Sequence, residues 1–257
     1  MKQRQMDAII DRLRQQARKI AAQQPQADFY RDFEQEVKES AGYFQTDAVV
    51  CRLKAAVEDV IDNDFGHGMD HARKVALDAG ALVVIEGRSS DYAAGFAPEH
   101  IRMAHCAGLL HDIQRKQKNH AREGAIYARK MLAAYSFSDR EINNICVAIA
   151  NHEAFSEPME PPTPASRLLS ACLYDSDKFR FGPDNFTDTV WEMIERSNIS
   201  LNRFLALYPR GIDFLKKIRN TFRTPTGRKY GPQFIDIGLA IGEALHSYMV
   251  SELKLSV

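Results

Sequence analysis

The chain has little that would mark it as secreted, membrane-spanning or nucleic-acid-coating. It has only four cysteines in 257 residues, Cys51, Cys106, Cys146 and Cys172. None forms a C-x-x-C pair and their density is far below that of a disulfide scaffold, so they are expected to be buried thiols. No stretch approaches 18 uncharged apolar residues, and the charged, glutamine-rich start MKQRQMDAIIDRLRQQARKIAAQQPQ lacks the apolar segment of a signal peptide. Residence in the cytoplasm, away from membranes, is the expectation. Neither charge sign prevails: 34 basic side chains face 34 acidic ones. An overall field that would draw the molecule to an extended nucleic acid is therefore absent, and any attraction for phosphate must be local. The Walker arrangement GxxxxGK[ST], the GxGxxG fingerprint and the GxSxG elbow are missing as well, which leaves little support for ATP-driven transfer, dinucleotide redox chemistry or serine hydrolysis.

What is present is helical periodicity nearly everywhere. Apolar residues make up 45% of the chain and charged ones 26%, a globular balance. Ile9, Ile10, Leu13, Ala17 and Ile20 recur at three- and four-residue intervals and predict a first helix over 4–24, closed by Pro25. Further helices are expected over about 28–41, 46–63, 69–86, 98–112, 119–135, 139–153 and 163–179. Four more are expected at 184–195, 198–205, 209–221 and 231–251. The stretches GRSSDYAAGF, FSEPMEPPTP and RTPTGRKYGP read as loops. No segment reads as a strand, so the fold class is all-α.

The chemistry-bearing residues sit at the ends of these helices. In LLHDI, His111 and Asp112 close an apolar run; adjacent helical residues point about 100° apart. Both reach one ion only near a helix terminus or in a cleft. HGMDHARKV places His67 and His71 four residues apart on one face, ANHEAF supplies His152, and LLSACLYDSDKF supplies Asp177 after another apolar run. Imidazole nitrogen and carboxylate oxygen are ordinary ligands of iron, manganese and zinc, although a lone His–Asp pair also suits a core histidine and a helix cap.

In this order and context the residues resemble the HD-domain metal-dependent phosphohydrolase superfamily over about 45–180. His71 matches its first histidine, His111 and Asp112 the adjacent pair that names it, and Asp177 its distal aspartate. The resemblance implies an HD-domain helical core over 45–182, with an N-terminal helical extension (1–44) and a C-terminal helical layer (183–257) packed on the core. It implies a divalent metal, with iron or manganese preferred and zinc also suitable. NHAREGAIYARKML and NHE resemble the matching segments of two-metal members. His120 and His152 could then complete a pair of ions about 3.5–4 Å apart. Alternatively His120 binds phosphate or caps its helix, and His152 contacts a ligand from outside. Asp175 rivals Asp177 within YDSDKF.

The resemblance implies hydrolysis of a phosphate ester in a small metabolite or nucleotide, with Asp112 as ligand and aligner of water. Lys116 and Arg122, ahead of Arg115 and Lys118, are the first choices to reach the phosphate, with a solvent-facing charge run the other reading. Lys178 and Arg180, and Arg223, Arg228, Lys229 and Tyr230 in a loop that closes over substrate or merely turns at the surface, are further candidates. His67 could orient His71, bind substrate or simply start a helix, His105 is given a packing or supporting role, and His100 and His246 none at the centre. NHEAF stands where cyclic-di-guanylate phosphodiesterases carry a GYP signature, which weakens that substrate assignment. Two other readings remain open: a di-iron oxygenase, and a noncatalytic metal-stabilised protein that binds a ligand or partner. A homodimer is a weak expectation.

Overall fold

The computed structural model describes residues 2–61, 68–89, 98–197 and 199–252, and among them it is helical throughout, with no strand. Helices α1 (Lys2–Ala22), α2 (Asp28–Asp32), α3 (Glu34–Thr46) and α4 (Ala48–Glu58) lead the chain. The centre consists of α5 (Met69–Ser89), α6 (Pro98–Leu110), α7 (His120–Leu132), α8 (Asp139–Ala150) and α9 (Pro164–Phe179). A π-helical turn at Asn185–Thr189 then runs into α10 (Val190–Ser197), followed by α11 (Leu201–Ile218) and α12 (Pro225–Glu252).

Local chemistry starts several of these helices. Asp47 accepts from the backbone of Val49 and Val50 to cap α4. Ser138 and Glu141 form a reciprocal capping box at α8. Thr163 caps α9, with Pro164 at a position where its missing N–H costs nothing.

The core is built around α5. Its Val75, Ala76, Ala79 and Leu82 are fully or almost fully buried, and it packs against α3, α6 and α9. Small residues let α5 and α6 approach closely: a Cβ added at Gly108 would run into the backbone of Ala76. Helix α8 lies against α6, α7 and α9, and α1 crosses over to α12, α10 and the π-helical turn. Cys106, Cys146 and Cys172 are buried in this core, whereas Cys51 is half-buried with its thiol 3.2 Å from the Gln45 carbonyl. His105 is buried too; its Nε2–H donates to Ser40 Oγ at 2.9 Å, since the Ser40 hydroxyl itself donates to the Leu77 carbonyl.

Three element boundaries differ from the sequence expectation. The single helix expected over 28–41 breaks at Phe33, where φ is −122°. The two helices expected over 198–221 are one: α11 continues through Pro209, because burial of Leu201, Phe204, Leu205, Tyr208, Leu215 and Ile218 along one stripe outweighs the lost hydrogen bond. Most of RTPTGRKYGP is helix rather than loop. Thr224 Oγ1 accepts from Gly227 N at 2.8 Å and Pro225 opens α12, repeating the Thr–Pro start of α9. His67 and most of the expected loop GRSSDYAAGF lie outside the described residues.

Candidate metal centre

Helix α6 ends at Leu110, and residues 111–118 follow as a series of turns with hydrogen bonds from Ile113 N to Leu110 O, Arg115 N to Asp112 O and Gln117 N to Gln114 O. His111 and Asp112 therefore leave the helix side by side, which lets neighbours in sequence face one point. His71 comes from the first turn of α5, His120 from the first residue of α7, His152 from just beyond α8, and Asp177 from the last turn of α9. All six are buried.

His71, His111 and Asp112 converge first, with Asp177 against the two histidines. His71 Nε2 is 3.2 Å from His111 Nε2, 3.3 Å from Asp177 Oδ1 and 3.8 Å from Asp112 Oδ2. His111 Nε2 is 3.3 Å from Asp112 Oδ2 and 3.8 Å from Asp177 Oδ1. A divalent ion with ligands at about 2.1 Å sets neighbouring ligands roughly 3.0 Å apart at right angles and roughly 3.4 Å apart in a tetrahedron, so the separations among His71, His111 and Asp112 fit one ion with slight contraction. The two buried carboxylates favour a cation there, and Asp177 already has one charge partner in Lys178.

A second set shares Asp112. Its Oδ1 is 3.4 Å from His152 Nε2 and 3.6 Å from His120 Nε2. Asp112 thus offers one oxygen to each set. Arg115 also reaches this second set, with Nη1 donating to His120 Nε2 at 2.8 Å and lying 3.6 Å from Asp112 Oδ1.

The histidines are oriented from behind. His111 Nδ1–H donates to the Gly108 carbonyl at 2.8 Å and His152 Nδ1–H to the Ile149 carbonyl at 2.6 Å, which leaves both Nε2 atoms facing inward. Burial pushes His111 down, but Asp112 and Asp177 outweigh it and raise it above the usual imidazole value. Burial, with His152 and Arg115 alongside, holds His120 at about 4 against the pull of Asp112, so its ring is neutral and able to ligate. Asp177 is opposed by burial, yet Lys178 and His71 hold its carboxyl well below the usual range.

The remaining site expectations are placed as follows. Asp175 turns away from the cluster: its carboxylate accepts from Arg223 N and Thr224 N, both at 2.8 Å, at the start of α12. Gly227 is needed there, since a Cβ would collide with Asp175. Burial pushes Asp175 up to about 6. Lys178 does not reach out to substrate; it is buried against Asp177 Oδ2 at 2.5 Å. Arg180 is also buried, bonding Tyr30, Asp78 and Asp184 as a brace between α2, α5 and α9. Arg223 stacks on Tyr174, 3.5 Å from the ring centroid, and donates to the Asn151 carbonyl.

No lid forms from the segment 223–230. Arg228 bonds the Phe222 carbonyl, Lys229 lies over the Tyr230 ring, and Tyr230 is buried beside Phe29 and Phe33 with its hydroxyl on Asp32. Lys116 and Arg122 are exposed, whereas Arg115 reaches His120 and Asp112. After Leu110 the chain runs as a series of turns, which brings Arg115 to His120 and Asp112.

A cavity of about 870 Å³ opens beside the cluster, with His71, Arg115 and His120 among its walls. A second, more polar one of about 590 Å³ also borders His71, together with Lys74 and Asp184.

Residues 68–180 match the family model of the HD domain, from just before α5 to the end of α9. This segment is similar to the HD domain, and the residues of its motif are intact and cluster as metal-coordinating groups, which supports metal-dependent enzymatic activity. No curated protein and no solved structure matches the chain. Among the described residues no helix is long and apolar enough to cross a membrane.

Proposed function

We propose that the protein hydrolyses a phosphate ester of a small metabolite or nucleotide, using iron or manganese, or zinc, held by His71, His111, Asp112 and Asp177, with a second ion at Asp112, His120 and His152. The observation that carries this reading is the position of Asp112, whose two oxygens face two ligand sets beside a cavity that Arg115 also lines. Bound metal would supply polarisation of the phosphoryl group and an acidified water.

The chain's own residues do the rest. Arg115 turns from His120 to hold nonbridging phosphate oxygens with paired N–H donors. Asp112 orients the attacking water by accepting its hydrogen bond. The Gly108 and Ile149 carbonyls keep the rings of His111 and His152 from rotating, and Lys178 fixes the Asp177 carboxylate. The same six ligands would also serve a di-iron oxygenase, but an arginine beside the ligand set favours an oxyanion substrate.

The test is phosphate release from a panel of esters by protein reconstituted without oxygen with iron or manganese, alongside oxygen uptake. Metal-dependent phosphate release is the expected result. Oxygen consumption without phosphate release would replace hydrolysis with the oxygenase reading, and tight metal binding with neither would replace it with noncatalytic ligand binding.

A further inference from the structure

The larger cavity is unlike the polar cluster at its floor. His71, Arg115 and His120 supply one end, but the walls are Phe181, Phe186, Val190, Met193, Phe204 and Leu207, from the chain just after α9 and from α10 and α11. These wall residues lie beyond the segment that matches the HD domain. At about 870 Å³ the space suits a whole small molecule rather than a phosphate alone.

Of the polar groups along the walls, Tyr208 and Arg180 are committed elsewhere, while Glu153 and Arg210 also border the space. The Tyr208 hydroxyl donates to the Gly242 carbonyl at 2.7 Å, and the Arg180 guanidinium is shared among Tyr30, Asp78 and Asp184. Asn185, Thr189 and Ser197 are the small polar side chains that border the space. A sugar or nucleobase entering between phenylalanine, leucine and methionine would give up water hydrogen bonds for few replacements.

Exposed apolar side chains gather at the same place. Met193 and Phe214 border the cavity and are 38% and 42% exposed, and Phe155, 63% exposed, stands edge-on to Phe214 with ring centroids 5.9 Å apart. Phe155 has φ of 63°, a left-handed backbone that is costly for an aromatic residue. Strain at an exposed aromatic residue is consistent with holding its ring for a ligand rather than for the core.

We propose that the substrate is a phosphate monoester of a large apolar alcohol, its phosphate at Arg115 and the metal ligands and its hydrocarbon along α10 and α11. This rests on the hydrolytic reading above and specifies its substrate class. In the reaction the water oxygen bonds to phosphorus, the phosphorus–alkoxy bond breaks, and the departing oxygen takes a proton released by the water, giving the free alcohol and inorganic phosphate.

The test uses full-length, manganese-loaded protein. Phosphate release is measured with ethyl, butyl and octyl phosphate below aggregation, and with adenosine monophosphate and glucose 6-phosphate. Binding of uncleavable ethyl- and octylphosphonate is measured separately by calorimetry. Six added methylenes, even half-buried, are expected to lower KM and the phosphonate Kd by about 50-fold or more. Leu207→Trp, which fills the cavity, is expected to reduce that dependence to about threefold, and the wild-type binding series stands whether or not this variant folds.

Cleavage without chain-length dependence, or preference for adenosine monophosphate or glucose 6-phosphate, would overturn the substrate class and leave hydrolysis intact. Length-dependent phosphonate binding with no cleavage of any ester would uphold the ligand class and overturn hydrolysis. Neither binding nor cleavage would overturn both.

Discussion

Lys178 and Asp177, neighbours at the end of α9, are paired face to face in the buried centre, with the ammonium 2.5 Å from Oδ2 while Oδ1 stands 3.3 Å from His71 Nε2. One carboxylate is thus clamped from outside while it faces the other ligands. Replacing the lysine by Met keeps its length and removes its charge. Lys178→Met is expected to weaken metal binding by about 10- to 100-fold, the scale for loss of a group that orients a ligand. Titration of the metal-free protein with manganese measures this, and an unchanged affinity would mean the lysine only fills space.

Arg115 contacts His120 and the edge of Asp112 but belongs to neither ligand set. Arg115→Ala is therefore expected to retain metal and lose about 10- to 100-fold in kcat/KM on a phosphate ester, the range for a charge-assisted hydrogen bond. Arg115→Lys should recover only part of this, because a single ammonium cannot offer paired N–H donors. Full activity in Arg115→Ala would remove arginine from the phosphate site.

Gly108 serves two demands. Its missing Cβ lets α6 approach Ala76 of α5, and its carbonyl holds His111. Gly108→Ala is expected to destabilise the fold by about 1–3 kcal/mol through overpacking, beyond the gain in helix propensity. It should also lower metal affinity, as the helix shifts and misdirects the ring. Urea unfolding with and without manganese separates the two effects.

His105 provides a pH test remote from the metal ligands. Burial holds its imidazole down at about 3, against a slight opposing pull from Asp47. In the unfolded chain it titrates near 6.5, so between the two values the unfolded state binds the extra proton. Its contribution is full above pH 6.5 and is lost as pH falls toward 3. His105→Gln is expected to flatten this acid limb by up to a few kcal/mol, read from urea midpoints at stepped pH. A variant with the same slope as the wild type would show that His105 is not the group responsible.

The polar residues were legible in sequence through their order and context rather than singly, and the requirement that His111 and Asp112 stand at a helix terminus or in a cleft follows from the 100° geometry. The start of α12 was missed: Thr224–Pro225 repeats Thr163–Pro164, but the glycines and charges around it read as a loop. What periodicity could not reveal is direction. Lys178 next to a ligand looks like a phosphate binder until its ammonium is found on Asp177. The stripe Phe204, Leu207, Tyr208 and Leu215 reads as core whether it meets other side chains or lines a cavity. Arg115 ranked behind Lys116 and Arg122 because residue spacing does not show the turns that follow Leu110.

The central claim is that Asp112 joins two metal sites into one hydrolytic centre. Metal per chain, determined by elemental analysis after anaerobic reconstitution with manganese, tests it most directly when wild type and Asp112→Ala are compared and folding is verified separately. The account predicts two ions in the wild type, with binding at both sets disrupted and phosphate-ester cleavage abolished in the folded variant. Retention of two ions by Asp112→Ala, or cleavage at the wild-type rate, would contradict it.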